Sequence, residues 1–355
     1  MLNTNFMRFV TRLILQILLF PLTLLLATAI YTRNWFYNIG ILQSTRPAVF
    51  TINVGNLNLG GTGKTPHVEY LVKLLADKYQ MSILSRGYKR ETKGFVLADE
   101  NATAKTIGDE PMQYYQKFKD KIKVVVCEDR IAGVNKIQTD FPKNELIVLD
   151  DAFQHRRIAP HLNLLLCDYN RPFYTDHLVP VGKLRDIRQS ANRADAIIVS
   201  KYPEHISVST MLSMKENISR YTLVDVPVFF SKIQYKPIVS YANQQAFAPQ
   251  NPATVLTAIA KPEVFIDYLN AQGYKIDKTI DYPDHFAFSR KEIEAVFNQA
   301  GTLPQIITTE KDMVKIKPLL QAQELNYFFY VPIEIHISDK HEFDNFVLKA
   351  ISKSI

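Results

Sequence analysis

The segment Gly55-Asn56-Leu57-Asn58-Leu59-Gly60-Gly61-Thr62-Gly63-Lys64-Thr65 leaves this chain few ways to fold. It follows an apolar run, Ala48 to Val54, that reads as a buried strand, and it opens onto an amphipathic helical stretch from Pro66 to about Tyr79. A strand that enters a helix through clustered glycines turns several backbone N–H groups toward one point. There, with the positive end of the helix, they hold phosphate oxygens. Lys64 is placed to neutralise the outer phosphates and Thr65 to offer a hydroxyl to Mg²⁺. Asn58, Gly60, Gly61, Thr62, Gly63, Lys64 and Thr65 are therefore the expected nucleotide-binding residues. One position departs from the strict pattern, which has Gly six residues before the lysine where this chain has Asn58.

Further short apolar runs recur at Met81–Ser85, Lys123–Cys127, Leu146–Leu149, Leu162–Cys167 and Ala196–Val199, separated by stretches of helical length. Strands alternating with helices predict a parallel α/β sheet covered on both faces. After about Asp225 the texture changes. Val226 to Ile238 reads as a pair of extended segments, and a second α/β block follows, with strands near Ala253–Ile259, Gln305–Thr308 and Phe328–Ile337. With 355 residues, two domains or slightly more are expected at roughly 150 residues each.

A phosphate loop that serves catalysis also needs a carboxylate in the magnesium shell, commonly at the end of an apolar strand. Leu146-Ile147-Val148-Leu149-Asp150-Asp151 supplies two, and Asp150 and Asp151 are the expected metal residues beside Thr65. Guanine readers carry an Asn-Lys-x-Asp element after a late strand; here Ser200-Lys201-Tyr202-Pro203 has Pro where the carboxylate belongs. Partition-type ATPases carry a signature lysine just before the paired glycines, and here that residue is Leu59.

Between Arg12 and Arg33 lie twenty residues, Leu13 to Thr32, without a charge, about the length that crosses the roughly 30 Å of a bilayer core. A cleaved signal peptide is one reading, since Ala27-Thr28-Ala29 ends the run. A spanning helix is another, but Arg8 and Arg12 before the run and Arg33 and Arg46 after it give no clear orientation. Gln16, Pro21 and Thr23 interrupt the run and Trp35-Phe36-Tyr37 follow it, which favours a helix lying in one leaflet. The 42 Lys+Arg against 35 Asp+Glu suit an anionic surface or a phosphorylated substrate. The basic residues are scattered and no aromatic-basic recognition motif stands out, so no nucleic-acid partner is expected. Two cysteines, Cys127 and Cys167, are too few for a disulfide framework or a four-thiolate zinc site.

The chain resembles the tetraacyldisaccharide 4′-kinases, which phosphorylate the lipid A precursor. The likeness lies in Gly55-Asn56 through Lys64-Thr65-Pro66, Ser85-Arg86-Gly87-Tyr88, Gly108-Asp109-Glu110-Pro111, and Asp150-Asp151-Ala152-Phe153-Gln154-His155-Arg156-Arg157. It continues in Gly182-Lys183-Leu184-Arg185-Asp186, Asp284-His285-Phe286 and Thr308-Thr309-Glu310-Lys311-Asp312. Ala152 stands where the pattern has Gly, and Asp186 where it has Glu. The resemblance implies an α/β fold with a P-loop NTPase-like parallel sheet, a smaller carboxyl-terminal α/β domain and an amino-terminal membrane-associated helix. We place the helix at 1–38, the kinase core at 39–225 and the second domain at 226–355, joined by an extended linker.

It also implies transfer of the γ-phosphoryl group of ATP, with Mg²⁺, to the 4′-hydroxyl of an acylated glucosamine disaccharide 1-phosphate. The expected place is the cytoplasmic leaflet of a bacterial inner membrane, with anionic lipids as partners. A membrane-tethered nucleotide switch acting on a protein partner is the alternative. By resemblance Asp109 is the base, paired with His285, and Lys64 and Asp151 complete the catalytic set. Arg86, Tyr88, Glu110, Gln154, His155 and Arg185 face the substrate, and Thr308 and Lys311 face the nucleotide from the second domain. With Asp109 and His285 in different domains, closure would be needed to assemble the base.

Overall fold

The computed structural model describes residues 4–248, 252–301 and 304–354, with side chains in the first helix described from Ile17 onward. Arg8, Arg12 and the side chains of residues 13–16, used above to weigh the membrane segment, lie outside the described residues. The chain divides into two compact units. One comprises Met1–Leu84, Asp129–Lys232 and His336–Ile355; the other comprises Ser85–Glu128 and Ile233–Ile335.

The first unit is built on parallel strands in the order Val228–Tyr235, Ala196–Ser200, Leu162–Asp168, Phe50–Asn56, Leu146–Asp150, Met81–Ser85. Phe50–Asn56, which delivers the glycine segment, is buried at every residue and pairs with Leu162–Asp168 on one side and Leu146–Asp150 on the other. Its neighbours come from later in the chain and the strand order reverses around it, which is where open α/β sheets bind ligands at the strands' carboxyl ends. The register sets Val54 opposite Asp150, so the start of the glycine segment and the paired carboxylates leave the sheet side by side.

The expected strands appear within a residue or two of where apolar runs placed them, except that the pair of extended segments expected over Val226–Ile238 is one strand, Val228–Tyr235, and Pro332 splits the expected Phe328–Ile337 run into Phe328–Val331 and Ile333–Ile337. The glycine segment passes into the helix Lys64–Leu75, whose inner face buries Val68, Leu71, Val72 and Leu75.

The amino-terminal helix runs Thr4–Asn38 straight through Pro21. From Ile17 to Asn38 it is long and apolar enough to cross a membrane, and Ile17, Leu18, Phe20, Leu22, Leu24 and Leu25 are exposed. Its later turns belong to the first unit. Ile30 sits in a core cluster with Leu57, Phe153, Phe173 and Leu184, and Leu26 and Ala27 pack against that cluster.

The second unit carries a sheet ordered Ile276–Asp281, Ala253–Thr257, Ile306–Thr309, Phe328–Val331, Val239–Ser240, parallel except for the last short strand. Its core gathers Val255, Phe265, Leu269, Ile307 and Phe329.

The compact units do not follow the single cut expected at residue 226. Ser85–Glu128 groups with the later residues because the helix Asp109–Phe118 packs on the helix Glu310–Ile316, with Lys117 and the buried Glu310 paired at 2.7 Å. His336–Ile355 returns to the first unit, where Phe343 packs on Phe229 at 5.1 Å and Asp344 accepts from the Tyr70 hydroxyl at 2.6 Å. Such long-range pairings leave no trace in local periodicity.

Candidate active site

The glycine segment is held by contacts that begin at its strand. Gly55 is required there because a Cβ on it would come within 2.5 Å of Phe153 Cβ, in the turn that follows the paired carboxylates. Gly63 (φ 89°) caps the helix in the left-handed region, which favours glycine. On the outer side the loop is stitched to Gly182–Asp186. Leu59 N–H donates to the Lys183 carbonyl at 2.6 Å and Arg185 N–H to the Leu57 carbonyl at 2.8 Å. Ser200 Oγ donates to the Thr62 carbonyl at 2.8 Å, and Lys201, paired with Asp168 at 3.0 Å, reaches the Gly61 carbonyl. Leu59 N–H is spent on Lys183 and Thr62 N–H on the Gly60 carbonyl at 3.0 Å, so the N–H groups open to a ligand are those of Gly60, Gly61, Gly63 and the first helical residues Lys64 and Thr65.

Beneath the loop His67 is buried between the Gly63 carbonyl, 2.7 Å from Nδ1, and Ser231 Oγ, 2.8 Å from Nε2. Burial, aided by the Lys201 charge and opposed by the Gly63 bond, pushes its pKa down to about 4. The ring is therefore neutral near pH 7. Nδ1 donates to Gly63 and Nε2 accepts from Ser231.

A cluster of charge stands at the strand ends. Asp151 takes a left-handed backbone (φ 56°), costly for a non-glycine residue and characteristic of functional sites. Arg185 grips its carboxylate through both terminal nitrogens and also reaches Asn56 Oδ1, while Lys64 Nζ lies 3.7 Å from Asp151 and 3.3 Å from Asn56 Oδ1. Burial alone would push the Asp151 carboxyl up; Lys64 and Arg185 outweigh it and hold it at about 2. Asn56, which the motif reading passed over, is the hub. Its Nδ2 donates to the Asn58 carbonyl at 2.8 Å and to Thr62 Oγ1 at 2.9 Å, and its carbonyl accepts from Gln154 Nε2 at 2.9 Å. Its signal in the sequence was its place, the last strand residue before the loop.

The second unit assembles a different group. Gly87 (φ 70°) and Gly108 (φ 97°) bring two backbones together, since a Cβ on Gly108 would lie 3.2 Å from Gly87. This close approach sets Arg86 and Tyr88, both exposed, near the start of the helix Asp109–Phe118. Asp109 opens that helix, and His285 Nδ1 lies 3.1 Å from Asp109 Oδ2. His285, also left-handed (φ 62°), meets the edge of Tyr88 at 5.9 Å. Its Nε2 lies 3.2 Å from Lys311 Nζ, which donates to Asp284 at 3.0 Å. Lys315, nearly buried, is 4.0 Å from Asp109 and bound to Asp312 at 2.9 Å.

A family model described as tetraacyldisaccharide-1-P 4′-kinase (LpxK) matches residues 15–352. The chain belongs to that family. The chain is 40% identical over 337 residues to the tetraacyldisaccharide 4′-kinase of Cytophaga hutchinsonii, covering 94% of this chain and 95% of that protein. The kinase of the same name from Flavobacterium psychrophilum is 39% identical over 340 residues, covering 95% and 97%. Among solved structures, LpxK from Aquifex aeolicus, described as an "apo" form in complex with ATP, superposes with a TM-score of 0.77 at 26% identity, over 95% of this chain and 99% of that one.

Set against the family pattern, the residues expected from sequence fall into two sets. Asn58, Gly60 to Thr65, Asp150, Asp151, Gln154, His155 and Arg185 belong to the first unit, and Arg86, Tyr88, Asp109, Glu110, His285, Thr308 and Lys311 to the second. Two expectations change. Asp109 and His285 share one unit and are already in contact, so no domain closure is needed to pair them. Thr308 is fully buried in its strand, as are Ile306 and Ile307 before it, because this parallel strand is enclosed on both faces. Asn58 Nδ2 donates to Asp176 at 3.1 Å, and His155 stands 3.9 Å from Asp129. The departure at Ala152 is mild, since Asp151 takes the left-handed turn position. Asp186 is fully buried, accepting from Asn34 at 3.1 Å, Ser190 at 2.8 Å and Arg193 at 3.0 Å.

Proposed function

We propose that this chain carries out its family's reaction, transferring the γ-phosphoryl group of ATP to the 4′-hydroxyl of tetraacyldisaccharide 1-phosphate in lipid A biosynthesis. The observation that carries this reading is the phosphate loop with its Lys64–Asp151–Arg185 cluster, inside a chain that matches the kinase family from residue 15 to residue 352. Phosphoryl transfer asks of a protein positioning, charge neutralisation and a proton acceptor. In our reading the N–H groups of Gly60, Gly61, Gly63, Lys64 and Thr65 cradle the phosphates, and Lys64 and Arg185 offset their charge.

The donor set also fits Mg²⁺, which takes a hydroxyl, one or two carboxylates and phosphate oxygens. Asp151 is ionised across the working pH range, and Asp150, 5% exposed, ends the neighbouring strand. Thr65, Asp150 and Asp151 would hold the ion, which when bound supplies further neutralisation of the phosphates.

For the proton we assign Asp109. The acceptor O–H bond breaks as its oxygen bonds the γ-phosphorus, the bond from that phosphorus to ADP breaks, and the proton passes to the Asp109 carboxylate. His285 holds that carboxylate in place. Arg86 suits an anionic group on the acceptor and Tyr88 a sugar face. Glu110, Gln154 and His155 complete the proposed acceptor contacts.

We further propose that the exposed apolar turns from Ile17 lie in the cytoplasmic leaflet of a bacterial inner membrane, where an acylated acceptor is concentrated and anionic headgroups meet the basic excess. Purified full-length chain in detergent should move labelled phosphate from ATP to the acylated disaccharide 1-phosphate. A folded, ATP-binding preparation that leaves this lipid unlabelled would overturn the assignment.

A further inference from the structure

Sequence reading set Lys311 at the nucleotide. Its surroundings give it another task. Lys311 Nζ lies 3.2 Å from His285 Nε2 and donates to Asp284 Oδ1 at 3.0 Å. An ammonium has donors only, so the nitrogen it meets must accept. Were Nε2 to carry a hydrogen, two donors would oppose each other with no acceptor between them. With Nε2 accepting, the neutral ring carries its hydrogen on Nδ1, and Nδ1 faces Asp109 Oδ2 at 3.1 Å.

We propose that Lys311, braced by Asp284, fixes the tautomer of His285 so that its Nδ1–H points at Asp109, which makes Lys311 a positioning residue for the base. This rests on the reading of Asp109 as the proton acceptor. The brace is ionised: burial would push the Asp284 carboxyl up, but Lys311 outweighs it and holds the group below the usual carboxylate range. Tyr88 meets the ring in an edge contact at 5.9 Å, beside the two nitrogens' partners.

The charged groups facing the pair come from three elements. Lys315 stands 4.0 Å from Asp109 but is committed to Asp312 and, at 3.2 Å, to the Phe286 carbonyl. Glu110 follows Asp109 on its helix, and Asp284 lies 3.9 Å from Nε2. Lys311 is thus the cation that addresses the ring itself. Without it nothing on Nε2 sets the tautomer, and a ring carrying its hydrogen on Nε2 would turn a lone pair instead of a hydrogen toward the Asp109 carboxylate.

The test uses the full chain in detergent with ¹⁵N-labelled histidine, the His285 signals being assigned by their loss in His285→Gln. Long-range ¹H–¹⁵N correlations should show the Nδ1–H form in the unaltered protein. In Lys311→Met the signals should move to the Nε2–H or doubly protonated form, and kcat should fall about tenfold, as for a lost positioning bond. KM for ATP should hold. Lys311→Arg, which keeps a charged donor, should restore the tautomer and most of the rate.

An Nε2–H ring in the unaltered protein, or an unchanged ring in Lys311→Met, overturns the proposal. So does a rise in KM for ATP with kcat and tautomer unchanged, which would return Lys311 to the nucleotide. Asp109→Asn separates the two readings. If it keeps full activity, the base assignment fails whatever the tautomer; if it is inactive while Lys311→Met has an unaltered ring and rate, only the role of Lys311 fails.

Discussion

Asp151 and Asp109 are both carboxylates at the edge of secondary structure in their units, yet the molecule treats them in opposite ways. Asp151 is gripped by Arg185, faced by Lys64 and held at about pKa 2. Such a group stays ionised and serves as a fixed negative charge, a poor proton acceptor. Among the described residues Asp109 is met by one imidazole nitrogen at 3.1 Å, with the Lys315 ammonium at 4.0 Å already engaged elsewhere. On the assignment proposed above, the contrast teaches how one chain can divide its acids between holding charge and moving protons, by the number and kind of donors each receives.

The hardest blow to the comparison falls on Lys64. Lys64→Ala removes the proposed phosphate partner and one of the cations at Asp151, and kcat/KM should drop about a thousandfold or more, with weaker ATP binding by calorimetry. Near-normal turnover in that variant would mean that the first unit's cluster does not handle phosphate. Asp109→Asn should lower kcat by about a hundred- to thousandfold while ATP affinity stays nearly unchanged. Loss of ATP binding there would instead move Asp109 to the nucleotide and erase the contrast.

Arg185→Lys sharpens it more gently. A point charge cannot copy a grip through two nitrogens, so roughly tenfold in kcat/KM is expected, read in the same assay.

A further check needs no substitution. His67 is buried with its pKa lowered from 6.5 to about 4, so between those values the unfolded chain binds a proton that the folded chain refuses. Stability is therefore complete above about pH 6.5 and declines as the pH falls toward 4, by roughly 3 kcal/mol in all. Urea midpoints measured across that window should fall, and His67→Gln should flatten the decline.

Much of the first unit was legible because its signals are local. The apolar runs at Leu146–Leu149 and Ala196–Val199, and the glycine cluster before Lys64, each report on their own neighbourhood. Asp109 and His285 were legible as a pair only through resemblance, 176 residues apart, and the supposition that they sit in different domains failed because the grouping of Ser85–Glu128 with later residues depends on helix packing far along the chain. The burial of Thr308 was not legible because a motif names residues without saying how deeply the sheet encloses them. Lys315 and Asn56 went unnoticed for the opposite reason. A buried ammonium and a carboxamide hub look ordinary until their partners are known.

Asp186 carries a practical warning. Its carboxylate, fully enclosed and adjoining Arg185, takes one of its bonds from Asn34, four residues from the end of the amino-terminal helix; Arg156 bonds the Asn34 carbonyl and Asn38 Oδ1, each at 2.8 Å. Clipping the greasy segment at residue 38 to obtain an easily handled soluble protein would thus strip one donor from an interior anion that is next in sequence to the arginine steadying Asp151. Kinetics from such a shortened version would describe a loosened catalyst, so trimming for convenience should stop well before Ile30.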